Sequence, residues 1–109
     1  MRAEDVCRLL AADTPHIVTV LPTVDSTNTY LKRLAEEGAP DGTAVIAKTQ
    51  TAGRGRLGRQ FASPEGAGLY MSVLLRRPIA ISRLPLLTPY VAVAAARAIE
   101  LLAPVSVGI

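Results

Sequence analysis

The sequence contains no tryptophan and one residue each of cysteine, histidine and phenylalanine. A single cysteine, Cys7, leaves no disulfide framework within the chain and makes a cytosolic, cytoplasmic setting the default. Near an N-terminus such a thiol reads as a small hydrophobe or a bystander rather than a nucleophile. A single histidine, His16, excludes a His-rich metal site and reads as the start of a strand. No run approaches the ~18 apolar residues of a membrane span, so no membrane partner is expected. With Glu4 and Asp5 near its start, the N-terminus does not read as a signal peptide. There is no internal repeat and no flexible linker.

What is present is enough for one small domain. The chain has 109 residues, half of them apolar and 19% charged, which reads as globular rather than disordered. The net charge of +3 is concentrated. Residues 48–65 hold four basic residues (Lys48, Arg54, Arg56 and Arg59) against Glu65, and the remainder holds eight residues of each sign. Such focus favours a local anion site over a broad polyanion-binding face.

Hydrophobic spacing predicts the elements. Val6, Leu9 and Leu10 suggest a short helix over 4–11, broken by Thr14-Pro15. His16 to Leu21 is β-branched and reads as a strand closed by Pro22. Asp25-Ser26-Thr27-Asn28 is a run of helix-capping residues, after which Tyr30, Leu31, Leu34 and Ala35 share a helical face. Gly38 stops that helix and Pro40-Asp41-Gly42 makes a turn. Thr43–Ala47 is a second strand, and a loop without secondary structure follows to about Gly68. Leu69–Leu75 is a third strand. An alanine-rich segment from Ser82 becomes a regular helix near Thr88 or Pro89 and ends before Pro104. Val105–Ile109 reads as a further strand. The order implies an α/β or α+β sheet domain.

The loop Gly53-Arg54-Gly55-Arg56-Leu57-Gly58-Arg59 carries the chemistry. Glycine lets a backbone approach a ligand closely, and arginine offers a planar fork of donors to phosphate or carboxylate. Gly53, Gly55 and Gly58 also satisfy G-x-G-x-x-G, the dinucleotide fingerprint. That fingerprint must run straight from strand into helix. Here it stands well beyond a strand ending at Ala47 and leads into Phe61-Ala62-Ser63-Pro64. A kinase glycine-rich loop lacks its partner lysine strand. A phosphate- or RNA-binding fragment explains the charge, but not the shortness of the segment or its nearly absent stacking aromatics. A phosphate-gripping loop of a ligase or transferase is the remaining reading.

The surroundings of the loop narrow it further. Asp25-Ser26-Thr27-Asn28, then Lys48-Thr49-Gln50-Thr51-Ala52 running into Gly53–Arg59, then Ser63-Pro64-Glu65-Gly66-Ala67-Gly68-Leu69-Tyr70-Met71-Ser72, together resemble biotin protein ligase. The resemblance runs from about Val20 to Ile109. Lipoate–protein ligases share the fold, but their arginine-pair and triple-glycine signature is not here.

The resemblance implies a mixed sheet with flanking helices, like the catalytic fold of biotin protein ligases and class II aminoacyl-tRNA synthetases, here incomplete. It implies ATP-dependent attachment of biotin to a lysine of a biotin carboxyl carrier protein through biotinyl-5′-AMP, with Mg²⁺ on the ATP phosphates. It places Ser26, Thr27, Asn28 and Gln50 at biotin, with Arg54, Gly55 and Arg56 joining them. Hydroxyl and amide groups suit a ureido group, which has two N–H donors and a carbonyl acceptor; the same residues would also serve merely to cap the helix. Gly53, Arg54, Arg56, Gly58 and Arg59 are expected around ATP or the adenylate. Arg56 and Arg59 are expected to offset the repulsion between a carboxylate and the α-phosphate. The glycine-rich loop is costly to order, so it is expected to move and to close over bound ligand.

The family's Lys-Trp-Pro-Asn-Asp segment and catalytic lysine are expected beyond Ile109, as is a C-terminal small barrel. Residues 1–109 therefore read as part of a catalytic domain, with little ligation activity alone. The stretch before Val20 leaves no room for a winged-helix domain, so no DNA binding is expected. The family allows a homodimer.

Overall fold

The computed structural model describes Arg2, Glu4, Arg8 and residues 17–108. The helix expected over 4–11 lies outside the described residues except for Glu4 and Arg8, both helical. Cys7, Thr14-Pro15 and His16 also lie outside them. The chain divides into two compact units, one running to Arg76 and one from Arg77 onward.

The first unit is a β-α-β crossover with an antiparallel strand added. Its elements are β1 (Ile17–Val24), α1 (Thr27–Glu36), β2 (Thr43–Gln50) and β3 (Tyr70–Val73). β1 and β2 are parallel, from Ile17 opposite Thr43 to Val24 opposite Gln50. β2 and β3 are antiparallel, from Ala44 opposite Val73 to Ala47 opposite Tyr70. The sheet order is β1-β2-β3, the expected α/β arrangement. β2 is central, so its near-continuous apolar run is buried, with Val45 at 0% exposure. Leu31 of α1 and Tyr70 of β3 complete this core.

The strand boundaries differ from the sequence reading for identifiable reasons. Pro22 does not close β1, which continues to Val24. β1 is paired on one side only among the described residues, and an edge strand tolerates a missing N–H. β2 runs on to Gln50 because β1 continues to pair with it. β3 is shorter than expected, although Leu74 N still donates to Thr43 O at 2.8 Å. The loop after β2 is structured as well. A 3₁₀ turn covers Arg56–Gly58, and antiparallel bridges join Gln50 with Ser63 and Arg54 with Gln60.

The end of α1 is tied to the sheet by Arg76. Its Nη2 donates to Ala35 O at 2.6 Å and its Nε to Ala39 O at 2.7 Å, while its backbone N–H donates to Asp41 Oδ1 at 2.6 Å. Helix C-terminal carbonyls lack intrahelical partners. Arg76→Ala removes both side-chain bonds and is expected to lower stability by about 1–2 kcal/mol in urea unfolding. An unchanged midpoint would mean that these exposed bonds contribute nothing.

The second unit holds a 3₁₀ helix (Ile81–Leu86) leading directly into α2 (Leu87–Leu102). Its start and end match the sequence reading within about a residue. Together the 22 residues Ile81–Leu102, with an 18-residue window of mean hydropathy 1.3, are long and apolar enough to cross a membrane by length and composition. The expectation of no such stretch counted uninterrupted runs, which Arg83, Pro85 and Arg97 break. A core helix of a soluble protein can have the same length and composition. The strand expected over 105–109 is absent from 105–108, and Ile109 is outside the described residues. A strand needs a neighbour for its backbone groups. Here Val107 N instead donates to Glu100 Oε1 at 3.0 Å, folding the segment back on α2.

Candidate functional site

The parallel strands β1 and β2 end side by side, and two residues, Asp25 and Ser26, separate β1 from α1. In α/β sheets this carboxyl end of the strands is where ligands bind. The parallel pairing is extended there by Thr51 N to Val24 O at 2.9 Å and Ala52 N to Asp25 O at 2.7 Å. Residues 25–28 and 50–54 are thereby held next to each other.

A polar hollow of about 180 Å³ lies at this junction. Ser26, Thr27, Asn28, Gln50 and Arg54 line it, joined by Tyr70 and Ser72 of β3. Five of the residues expected at biotin are thus gathered from two separate stretches of sequence. Ser26 also caps α1, its Oγ accepting from Thr29 N at 3.5 Å. The cap and the pocket wall are the same residue, and at that length the capping bond is weak.

Hydrogen bonds fix which way the pocket's groups face. Ser72 Oγ donates to Asn28 Oδ1. Its one proton is spent there, so Thr27 Oγ1 donates to Ser72 Oγ at 2.8 Å. Thr27 therefore presents only lone pairs to the hollow, and Asn28 presents its Nδ2 protons. Gln50 Oε1 accepts from Thr27 N at 2.8 Å. Thr27 and Ser72 are buried, and no buried side-chain polar atom among the described residues lacks a partner.

A second hollow, of about 410 Å³, is enclosed by the Gly/Arg loop itself. Gly53, Arg54, Gly55, Gly58 and Arg59 line it, so four of the five residues expected at ATP are together. Arg56 is not among them. It borders a separate outer hollow with Leu57 and Phe61. The 3₁₀ turn that begins at Arg56 accounts for the separation, because Leu57 (φ 59°) and Gly58 (φ 75°) reverse the chain. Leu57 takes this left-handed conformation while 95% exposed. A leucine there is strained, and strain of this kind gathers at ligand clamps. Gly55 and Arg56 are not brought to the polar pocket; Arg54 alone borders both the pocket and the loop hollow.

The neck of the loop is pinned. Phe61 N donates to Gly53 O at 2.7 Å and Gly55 N to Arg59 O at 2.6 Å. With strand β2 ending at Gln50, only two residues separate it from Gly53, so distance from the strand does not exclude a dinucleotide fingerprint. The chain's course does: the glycines lead into a hairpin-like return, not a helix. Among the described residues, no three His, Cys, Asp or Glu side chains gather as a metal cage. The loop hollow offers guanidinium groups rather than metal ligands, so its own side chains do not fit a protein-held Mg²⁺.

The sequence reading assigns no role to Ser63 and Ser72, yet Ser72 lines the polar hollow and Ser63 Oγ accepts from Gln50 Nε2. Both stand inside a motif. Ser72 alternates with Tyr70 on the buried side of β3. A serine at a buried strand position must find a partner, and that was the available signal.

The model of the biotin/lipoate A/B protein ligase family matches residues 20–107. The bifunctional ligase/repressor BirA of Bacillus subtilis is 46% identical over 77 residues, covering 71% of this chain and 24% of its own. Biotin protein ligase from Aquifex aeolicus, solved in complex with biotin and ATP, superposes with a TM-score of 0.67 at 37% identity, covering 84% of this chain and 38% of that one. The Leishmania major biotin protein ligase, solved with biotin, gives a TM-score of 0.66 at 32% identity, covering 74% and 32%. The chain therefore spans about a quarter of the BirA length. With a match across both the crossover unit and the Gly/Arg loop, the chain belongs to the biotin/lipoate A/B protein ligase family.

Proposed function

We propose that this chain carries the biotin- and ATP-handling part of a biotin protein ligase, which joins biotin to a lysine of a biotin carboxyl carrier protein. The observation that carries the reading is Arg54, which borders both the polar hollow and the loop hollow. A ligand in each would meet at Arg54. That is the arrangement needed to bring a carboxylate to a phosphate.

The polar pocket takes the biotin ring. Thr27 Oγ1 accepts from a ureido N–H, while Asn28 Nδ2 donates to the ureido carbonyl. Arg54 and Arg59 hold the carboxylate and the phosphates. Arg56 and the strained Leu57 belong to the moving tip, which closes over the adenylate and limits its hydrolysis. In the first step a biotin carboxylate oxygen attacks the α-phosphorus and pyrophosphate leaves. In the second the lysine amine attacks the acyl carbon and AMP leaves. Fixed positive charge lowers the barrier of the first step by offsetting anion repulsion. Mg²⁺ brought in with ATP as part of the substrate would supply further charge neutralisation. We place this work in the cytoplasm, with no DNA partner for this part of the chain.

Calorimetric titration of the full chain with biotin is expected to give saturable binding. Biotin plus ATP is expected to protect Arg54, Arg56 and Arg59 from trypsin. RNA binding that weakens steeply with salt, without any response to biotin, would overturn the reading in favour of a phosphate- or RNA-binding fragment.

A further inference from the structure

Ser63 faces Gln50 across the neck of the loop, with Gln50 N donating to Ser63 O at 3.1 Å. Its side chain is buried, the residue being 4% exposed. Ser63 Oγ donates to Phe61 O at 3.1 Å and accepts from Gln50 Nε2 at 3.0 Å. A hydroxyl has one proton, and Phe61 O takes it. Towards Gln50, Ser63 is therefore an acceptor only. The other end of the amide is fixed independently, because Thr27 N can only donate and does so to Oε1 at 2.8 Å. A flipped amide would set N–H against N–H at Thr27 and lone pair against lone pair at Ser63.

We infer that Ser63 is a positioning residue for Gln50, holding its amide so that the second Nε2 proton is offered to an acceptor oxygen of the ligand in the polar pocket. That proton has no acceptor among the described residues, and Gln50 lines the pocket. The inference rests on the reading of that pocket as the biotin site. Gly53 is part of the same device: a Cβ there would stand 2.5 Å from Ser63 Oγ and 3.1 Å from Gln50 Nε2. The glycine keeps open the space in which serine and amide meet.

The test is a double-mutant cycle on biotin affinity in the full chain, using Ser63→Ala, Gln50→Ala and both together. Each single substitution weakens biotin binding about tenfold, and the double variant binds no more weakly than Gln50→Ala alone. Losses that multiply, or Ser63→Ala binding like the unsubstituted chain, would overturn the inference while leaving biotin binding intact. No biotin binding by the unsubstituted chain would remove the functional reading and this inference with it. Thermal unfolding accompanies each variant. If Ser63→Ala is unfolded, Ser63→Cys carries the test, since a thiol of similar size is a weak acceptor. It must then bind like Gln50→Ala, and binding like the unsubstituted chain counts against the inference.

Discussion

Arg54→Ala is expected to weaken biotin and ATP binding together, each by ~10- to 100-fold. The magnitude corresponds to one charge-assisted hydrogen bond per ligand. The Arg54 side chain is exposed and makes no hydrogen bond to the other described residues, so its loss leaves the fold intact. Separate calorimetric titrations with biotin and with ATP decide the matter. Arg59 lines the loop hollow but not the polar one. Arg59→Ala is therefore expected to weaken ATP binding while changing biotin affinity less than about twofold. If Arg54→Ala affects one ligand and spares the other, the two hollows do not share this residue in solution. If biotin and ATP share Arg54, whatever factor biotin applies to ATP affinity, ATP must apply to biotin affinity.

Gly53→Ala has the largest expected effect on the fold. The added Cβ would lie 2.5 Å from both Phe61 O and Ser63 Oγ. Atoms cannot share that distance, so one strand of the neck must move. Phe61 N donates to Gly53 O, and that bond would strain or break. Overpacking of this kind lowers stability by about 2–3 kcal/mol. Gly58→Ala is the comparison, because nothing lies within 4 Å and only its φ of +75° resists a side chain. That conformation alone destabilises by about 1–2 kcal/mol. Urea midpoints should order the variants with Gly53→Ala below Gly58→Ala. Gly53→Ala should also lose biotin affinity, because Ser63 and Gln50 move with the neck. The reverse order would mean that the neck relaxes freely.

Much of this site was legible in the sequence where chemistry and local structure coincide. Asp25-Ser26-Thr27-Asn28 reads as a helix cap, and Ser26 is one. Gly and Arg alternating in 53–59 reads as an anion cradle, and five of those seven residues line one hollow. Long-range pairing was not legible. The extension of β2 to Gln50 depends on Val24, twenty-six residues earlier, as its partner. Propensity in Lys48-Thr49-Gln50 carries no trace of that. The hairpin neck likewise depends on Ser63 meeting Gln50, and local sequence alone reads that stretch as a loop without secondary structure. Val105–Gly108 shows the opposite failure, in which β-branched composition predicted a strand that has no described neighbour to pair with.

The direction of the hydrogen bonds around the polar pocket has one further consequence. Thr27, Asn28, Gln50, Ser63 and Ser72 contribute hydroxyl and amide groups, none of which titrates between about pH 5 and pH 9. The pattern of donors and acceptors is thus the same across that range, and a histidine or carboxylate in the floor would have made it switch. On the proposed reading, these five groups hold the ring with the same donors and acceptors across that range. If the chain works as proposed, a pH dependence of biotin binding would have to come from groups other than these five.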